Sequence, residues 1–281
     1  MKLRRLIKEN ARRALQRHWC RAAAIALVSL VFCFMFITLE TLLSSIFGLP
    51  AFVDPFVTPD IYIDDLPNVS PVAMAVMGVV AMLYFAVIAP LQMGIARWFY
   101  LVGDGKAESA ITIFHYFGST TQFWKVLWLY INRFFRQLIW TVVFLSVPSV
   151  LIYFAQLWKL KGDTDMESVL SLGMFLAGGT LMILLGVFLA IWLMRYYLAE
   201  YIIIHDSTCS VSEAIRQSVL VSRGRCTELF VLEFTLLGWR FADLFILPKL
   251  FTLPYRLTIK GLYAHYLLEV TKRSRVNTES A

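Results

Sequence analysis

Apolar residues occur in this chain in long unbroken blocks, not in the every-second-residue pattern of half-buried strands. Five blocks of roughly 18 or more residues stand out, and about 20 apolar residues in a helix cross the hydrocarbon core of a bilayer. A membrane β-barrel would alternate apolar and polar positions in segments of about 10 residues. The pattern predicts an all-α, polytopic helical membrane protein: a single integral membrane domain over residues 1–281, with about six transmembrane helices and cytoplasmic interfacial amphipathic helices. The spans are expected at about 22–47, 72–100, 138–157, 169–194, 229–247 and 253–268. The last is short for a crossing.

Outside these blocks the period changes to that of amphipathic helices. In residues 1–21, Leu3, Leu6, Ile7, Ala11 and Ala14 share one face, with Arg4, Arg5, Lys8 and Arg12 opposite. That is the pattern of a helix lying in the membrane interface. A cleavable signal peptide would show an apolar region of about 7 to 15 residues and a small-residue cleavage site. The block that follows is longer and has no clear Ala-x-Ala site, so it reads as an uncleaved anchor. In 123–137, Lys125, Asn132, Arg133 and Arg136 form a stripe, with Trp124, Trp128, Phe134 and Phe135 off it. This predicts a second interfacial helix feeding the third span. Ser210 and Glu213 fit a capping box. It opens a third surface helix with Val211, Ala214, Ile215, Ser218, Val219 and Ser222 on one face and Arg216 and Arg223 opposite. Residues 102–122, with "ITIFHYFG", predict a loop with a short interfacial turn. Pro90 predicts a kink in the second span. Gly179, Gly186 and Ala190 share a face that would allow a close helix contact.

Composition and charge then set the orientation. The chain is 59% hydrophobic and 16% charged, with a formal net charge of +7. Soluble domains carry about 25% charge. Lys2, Arg4, Arg5, Lys8, Arg12, Arg13, Arg17 and Arg21 face only one acid, Glu9, within the first 21 residues. The stretch 48–71 holds Asp54, Asp60, Asp64, Asp65 and five prolines, with no Lys or Arg. Positive residues stay inside, so the N-terminus is expected in the cytoplasm and this loop outside. Six spans return the tail, with Lys272, Arg273 and Arg275, to the cytoplasm of a multi-pass cell-membrane protein. The expected partners are membrane lipids of an anionic leaflet and other membrane proteins, not nucleic acid. Arg4, Arg5, Lys8, Arg12, Lys125, Arg133 and Arg136 are the candidate contacts to lipid phosphate. The four aspartates lack the glycine and closing Glu of a calcium loop, and Asn68-Val69-Ser70 is a glycosylation sequon relevant only in a eukaryotic secretory host.

"LLGWRFADLFILP", Leu236 to Pro248, sets Arg240 and Asp243 in an otherwise apolar tract. One charge at mid-bilayer costs about 2.5 to 3.5 kcal/mol, so such residues are expected to face each other or a wet cavity. An antiparallel hairpin turning near Lys249 brings Asp243 level with Arg256, and Arg240 with Lys260; Glu233 shares a face with Arg240. The expectation is an intramembrane polar seam of Glu233, Arg240, Asp243, Arg256 and Lys260, with Asp243 paired to Arg256 or Arg240. It serves either as a structural ion-pair cluster or as a site for an anionic head group or substrate.

No catalytic, cofactor-binding or metal-binding residues are expected. Gly105-Lys106 lacks the rest of a phosphate loop, and Gly-x-Ser-x-Gly is absent. His18, His115, His205 and His265 are scattered, and "IIIHD", Ile202 to Asp206, reads as a span exit. Cys20, Cys33, Cys209 and Cys226 show no disulfide or zinc spacing. An enzyme is not expected. The expectation is a non-enzymatic, lipid- or partner-engaging envelope accessory protein. The alternative is a small transporter or channel using the polar seam, although no internal repeat is evident.

Four stretches resemble the bacterial family known as domain of unknown function 975. They are "LIKENARRALQRHW", "APLQMGIARWFYLVGDGKAE", "YYLAEYIIIHDSTCSVSEAIRQSVLVSRGRCTELFVLEFTLLGW" and "LPYRLTIKGLYAHYLLE". The resemblance implies a multi-span protein with no established activity and no catalytic residues to transfer. The chain departs from the pattern in a longer 147–193 region and in the charges after Gly238-Trp239.

Overall fold

The computed structural model describes residues 2–47, 71–106, 108–161, 165–243 and 245–279. The acidic stretch with Asp54, Asp60, Asp64 and Asp65 and the sequon at Asn68 lie outside the described residues. Within them the chain is all-α, with ten α-helices and two 3-10 segments and no strand. Four helical stretches are long and apolar enough to cross a membrane: Trp19–Ile46, Met74–Gly103, Thr120–Lys159 and Met166–His205.

The chain divides into two compact units. The first comprises Met1–Leu127 and Arg240–Tyr263. It opens with α1 (Lys2–Gln16), α2 (Trp19–Phe47) and α3 (Pro71–Gly103). Pro71 occupies the first helical position of α3, where its missing N–H is no loss. Pro90 lies inside α3 without ending it.

On α1, Ile7, Ala11 and Leu15 recur every four residues and are almost fully buried. This stripe packs on α2 and α3. Of the apolar face expected at the interface, Ile7 and Ala11 are thus covered by protein, Leu3 and Ala14 are half-buried and Leu6 is exposed. The reason is the register: burial follows the Ile7–Ala11–Leu15 row, and Leu6 falls beside it. The core below contains Leu15, Ala22 and Ile25, joined by Ile88, Leu91, Ile95, Trp98 and Phe99 of α3.

The predicted turn after α3 is a 3-10 helix, Ala110–Phe117, clamped along α3. Gly94 makes the clamp possible: a Cβ there would lie 1.8 Å from the Ile113 carbonyl oxygen. Ile113 itself is buried in the core. "PLQMG" thus places a residue without a side chain one turn beyond Pro90, where two backbones touch.

In place of an interfacial helix feeding a separate span, Thr120–Lys161 forms one helix, α4, of 42 residues. Its interior Pro148 does not end it. Only α4 residues up to Leu127 belong to the first unit.

The second unit comprises Trp128–Trp239 and Ala264–Ala281. It contains α5 (Asp165–Leu193), a 3-10 turn Met194–Tyr196, α6 (Ala199–His205), α7 (Val211–Val221) and α8 (Cys226–Thr235). Ser210 caps α7, its side chain accepting the Glu213 N–H at 3.3 Å. Val211, Ala214, Ile215 and Ser218 of α7 are buried, against α6 and the 3-10 turn. The small-residue contact falls elsewhere than expected. A Cβ at Gly179 or Gly186 would meet nothing within 4 Å, whereas one at Gly178 would lie 2.8 Å from Ile152 Cγ1.

The fifth and sixth predicted spans take a different form. The 229–247 stretch is split between α8 and α9 (Leu237–Ala242). Neither approaches the roughly 20 residues that a crossing needs. Thr235 donates its hydroxyl to the Leu232 carbonyl at the end of α8, and Gly238 follows within the next turn. Both weaken helix continuation. The predicted turn near Lys249 is displaced too: α10 runs without a break over Ile246–Glu279 and already contains Lys249. Pro248 does not prevent this, because the first turn of a helix makes no use of its N–H.

Candidate functional site

Polar side chains gather in three places, each inside one unit. The first contains the charges of the 236–260 tract. Asp243 follows α9, while Thr252 and Arg256 are one turn apart on α10 and so share a face. Arg256 Nη2 stands 2.7 Å from Asp243 Oδ2, with the side chains 14% and 15% exposed. Thr252, itself buried, donates its hydroxyl to the other oxygen, Asp243 Oδ1. The carboxylate is thus held at both oxygens, and the buried guanidinium is neutralised on the spot. Of the two partners the sequence allowed for Asp243, the structure shows Arg256. Arg240 is exposed on α9 and Lys260 half-buried on α10. Glu233 belongs to α8, in the other unit.

The second place is where α3 meets the 3-10 helix. Trp98 donates its indole N–H to the Glu108 carbonyl at 3.1 Å, and Arg97 Nη2 reaches the Glu108 carboxylate at 3.5 Å. Arg97 Nη1 is buried with no hydrogen-bond partner among the described residues. His115 lies in the same field: burial and the nearby Arg97 cation push its pKa down, partly offset by Glu108. Burial raises the adjacent Tyr116 phenol to about 12. The Tyr116 phenol therefore stays protonated near neutral pH.

The third place is in the second unit. Arg133 Nη1 lies 3.4 Å from Glu200 Oε2, and Tyr130 donates its hydroxyl to the same oxygen at 3.5 Å. Arg133, a sequence candidate for lipid phosphate, therefore has an internal carboxylate partner. Nearby in sequence, Arg195 stacks 3.4 Å over the Trp192 ring. Trp192 sits edge-on to Trp140, whose indole N–H donates to the Tyr196 hydroxyl at 3.1 Å. Buried Ser218 donates to the Arg195 carbonyl at 2.6 Å, tying α7 to the 3-10 turn Met194–Tyr196.

The other lipid candidates divide by exposure. Arg5, Arg12 and Arg136 are exposed; Arg4, Lys8 and Lys125 are half-buried. Arg5 also pairs with Glu9 at 3.0 Å on the exposed side of α1. Asp206 of the "IIIHD" stretch accepts both the N–H and the hydroxyl of Thr208, as an Asx turn does. None of the four cysteines forms a disulfide. Among the described residues no group of His, Cys, Asp and Glu is arranged to hold a metal ion.

Sequence reasoning passed over two of these groups. Glu200 and Arg97 each interrupt an apolar run, in "YYLAEYIII" and "GIARWFY", and that interruption is the signal that finds them. It also finds Glu40, in "FITLETLLSS" on α2.

These features define an all-α polytopic membrane protein with three internal clusters of polar side chains. The family described as Protein of unknown function (DUF975) matches residues 1–274, and the chain belongs to that family. No curated protein and no solved structure matches it.

Proposed function

We propose that this is a non-enzymatic protein of the bacterial cell membrane, with both termini in the cytoplasm, that acts by engaging bilayer lipid or partner membrane proteins. The observation carrying this reading is the bareness of its apolar helices. Only 11% of the most apolar window of Thr120–Lys159, and 11% of that of Met166–His205, is buried inside the protein. Val143, Val147, Ile183 and Leu184 are more than half exposed. Apolar faces of that extent need lipid or another protein against them. The exposed Arg5 and Arg12 on α1 fit the anionic side of such a contact. The termini follow from the charge bias of the first 21 residues. A transporter using Asp243 and Arg256 has less to support it, because each charge is already held by the other at 2.7 Å.

The experiment is lipid analysis of the protein extracted with its surrounding bilayer in polymer-bounded discs. Anionic lipid enriched over the bulk membrane, and reduced by combined Arg4→Gln, Arg5→Gln and Arg12→Gln, supports the reading. So does a defined partner crosslinked through α4 or α5. Bulk lipid composition, unchanged by the substitutions and with no crosslinked partner, contradicts it.

A further inference from the structure

Glu40 stands on the wall of a cavity of about 620 Å³ between α2 and α3. Phe36 and Ile37 of α2 and Met77, Gly78 and Tyr84 of α3 are among the other lining residues. Phe36 and Tyr84 meet edge to face, 5.0 Å between ring centroids. The walls are thus aliphatic and aromatic, with one carboxyl group among them.

That carboxyl group has no hydrogen-bond or ion-pair partner among the described residues. On its own helix Thr38 donates to the Phe34 carbonyl and Thr41 to the Ile37 carbonyl, while Ser44, one turn on and buried, has no hydrogen-bond partner among the described residues. No cation is at hand along either helix. Arg21, the only basic residue of α2, is about 28 Å away along the axis, and Arg97, the only one of α3, is about 20 Å beyond Tyr84. The 48–71 stretch that joins the two helices contains no Lys or Arg. An intramembrane carboxylate calls for a counter-charge, and neither these helices nor their connection supplies one.

We propose that this cavity is a binding site for a lipophilic organic cation, with Glu40 as its counter-ion. Aromatic faces attract a cation, and apolar walls accommodate the hydrophobic groups around it. A soluble ammonium or metal ion would leave those walls unused, and an anionic lipid would be repelled. The two helices that line the cavity are predominantly apolar, so a lipophilic cation would reach it through the bilayer. The inference rests on the reading that α2 and α3 cross a membrane.

The test is equilibrium binding of radiolabelled tetraphenylphosphonium to the full chain in nanodiscs, against protein-free nanodiscs. Saturable binding of about one cation per chain is expected, weakened at least tenfold by Glu40→Gln. Gly78→Leu fills the cavity from a position where a Cβ meets nothing within 4 Å, and lowers binding as well. It carries the test if Glu40→Gln does not reconstitute. The anion tetraphenylborate, of the same shape, should show no saturable component. Absence of saturable cation binding, or binding unchanged by these substitutions, overturns the site. Failure of the wild-type chain to enter nanodiscs overturns the membrane reading instead.

Discussion

Gly94 and Ile113 touch backbone to backbone, so that a Cβ on Gly94 would lie 1.8 Å from the Ile113 carbonyl oxygen. No side-chain rotation relieves that overlap. Gly94→Ala is therefore expected to displace the 3-10 helix from α3 and to cost about 1 to 3 kcal/mol, the range of forced overpacking. Gly78→Ala on the same helix meets open space and should be neutral or gain up to about 1 kcal/mol from helix propensity. Thermal unfolding in detergent compares the two. Equal melting temperatures would refute the clamp.

Gly261 repeats the theme between α10 and α3: a Cβ there would lie 3.0 Å from the Tyr100 Cα. Replacement by Val should destabilise the first unit and increase proteolysis near residues 99–103. Unchanged proteolysis would count against close packing at this crossing.

The Asp243–Arg256 pair gives a two-part expectation. Both side chains are about six-sevenths buried, so removing one strands the other. Arg256→Met or Asp243→Leu alone should cost about 3 to 5 kcal/mol, whereas the double substitution should recover most of that loss. A double-mutant cycle read by denaturant unfolding measures it. Additive losses would show that the two charges do not depend on each other.

His115 supplies the pH dependence. Its folded-state pKa lies below the ordinary value because burial and Arg97 disfavour the cation. Between the folded and unfolded pKa values the unfolded chain binds more protons, so stability falls as pH drops below about 6.5. The wild-type melting temperature should therefore decrease from pH 7.5 to pH 5, and His115→Asn should remove part of that decrease. Parallel pH profiles for the two proteins would contradict the assignment.

The long apolar helices were legible in the sequence because hydrocarbon selects for blocks, and blocks need no tertiary context. The α7 cap was legible for a similar reason: Ser210 and Glu213 act locally. The Asp243–Arg256 pair could be reached because an unpartnered charge in an apolar tract narrows its own options. The turn expected near Lys249 lies earlier, because α10 starts at Ile246 and holds Pro248 in its first turn. What the sequence hid was long-range. Nothing local says that Ile7, Ala11 and Leu15 meet α3 and not lipid, since either surface rewards the same periodicity. Nothing local pairs Arg133 with Glu200, 67 positions away, so the internal partner of this one residue of the basic stripe is not legible in the sequence.

The most direct measurement of the central claim, that these helices have hydrocarbon as their solvent, is spin-label accessibility in liposomes. Labels at Val143 and Ile183, both exposed on the surface of the protein, should show high collision rates with oxygen and low rates with a water-soluble nickel chelate. The reverse pattern at both positions, nickel-accessible and oxygen-poor, would place them in water and contradict the account.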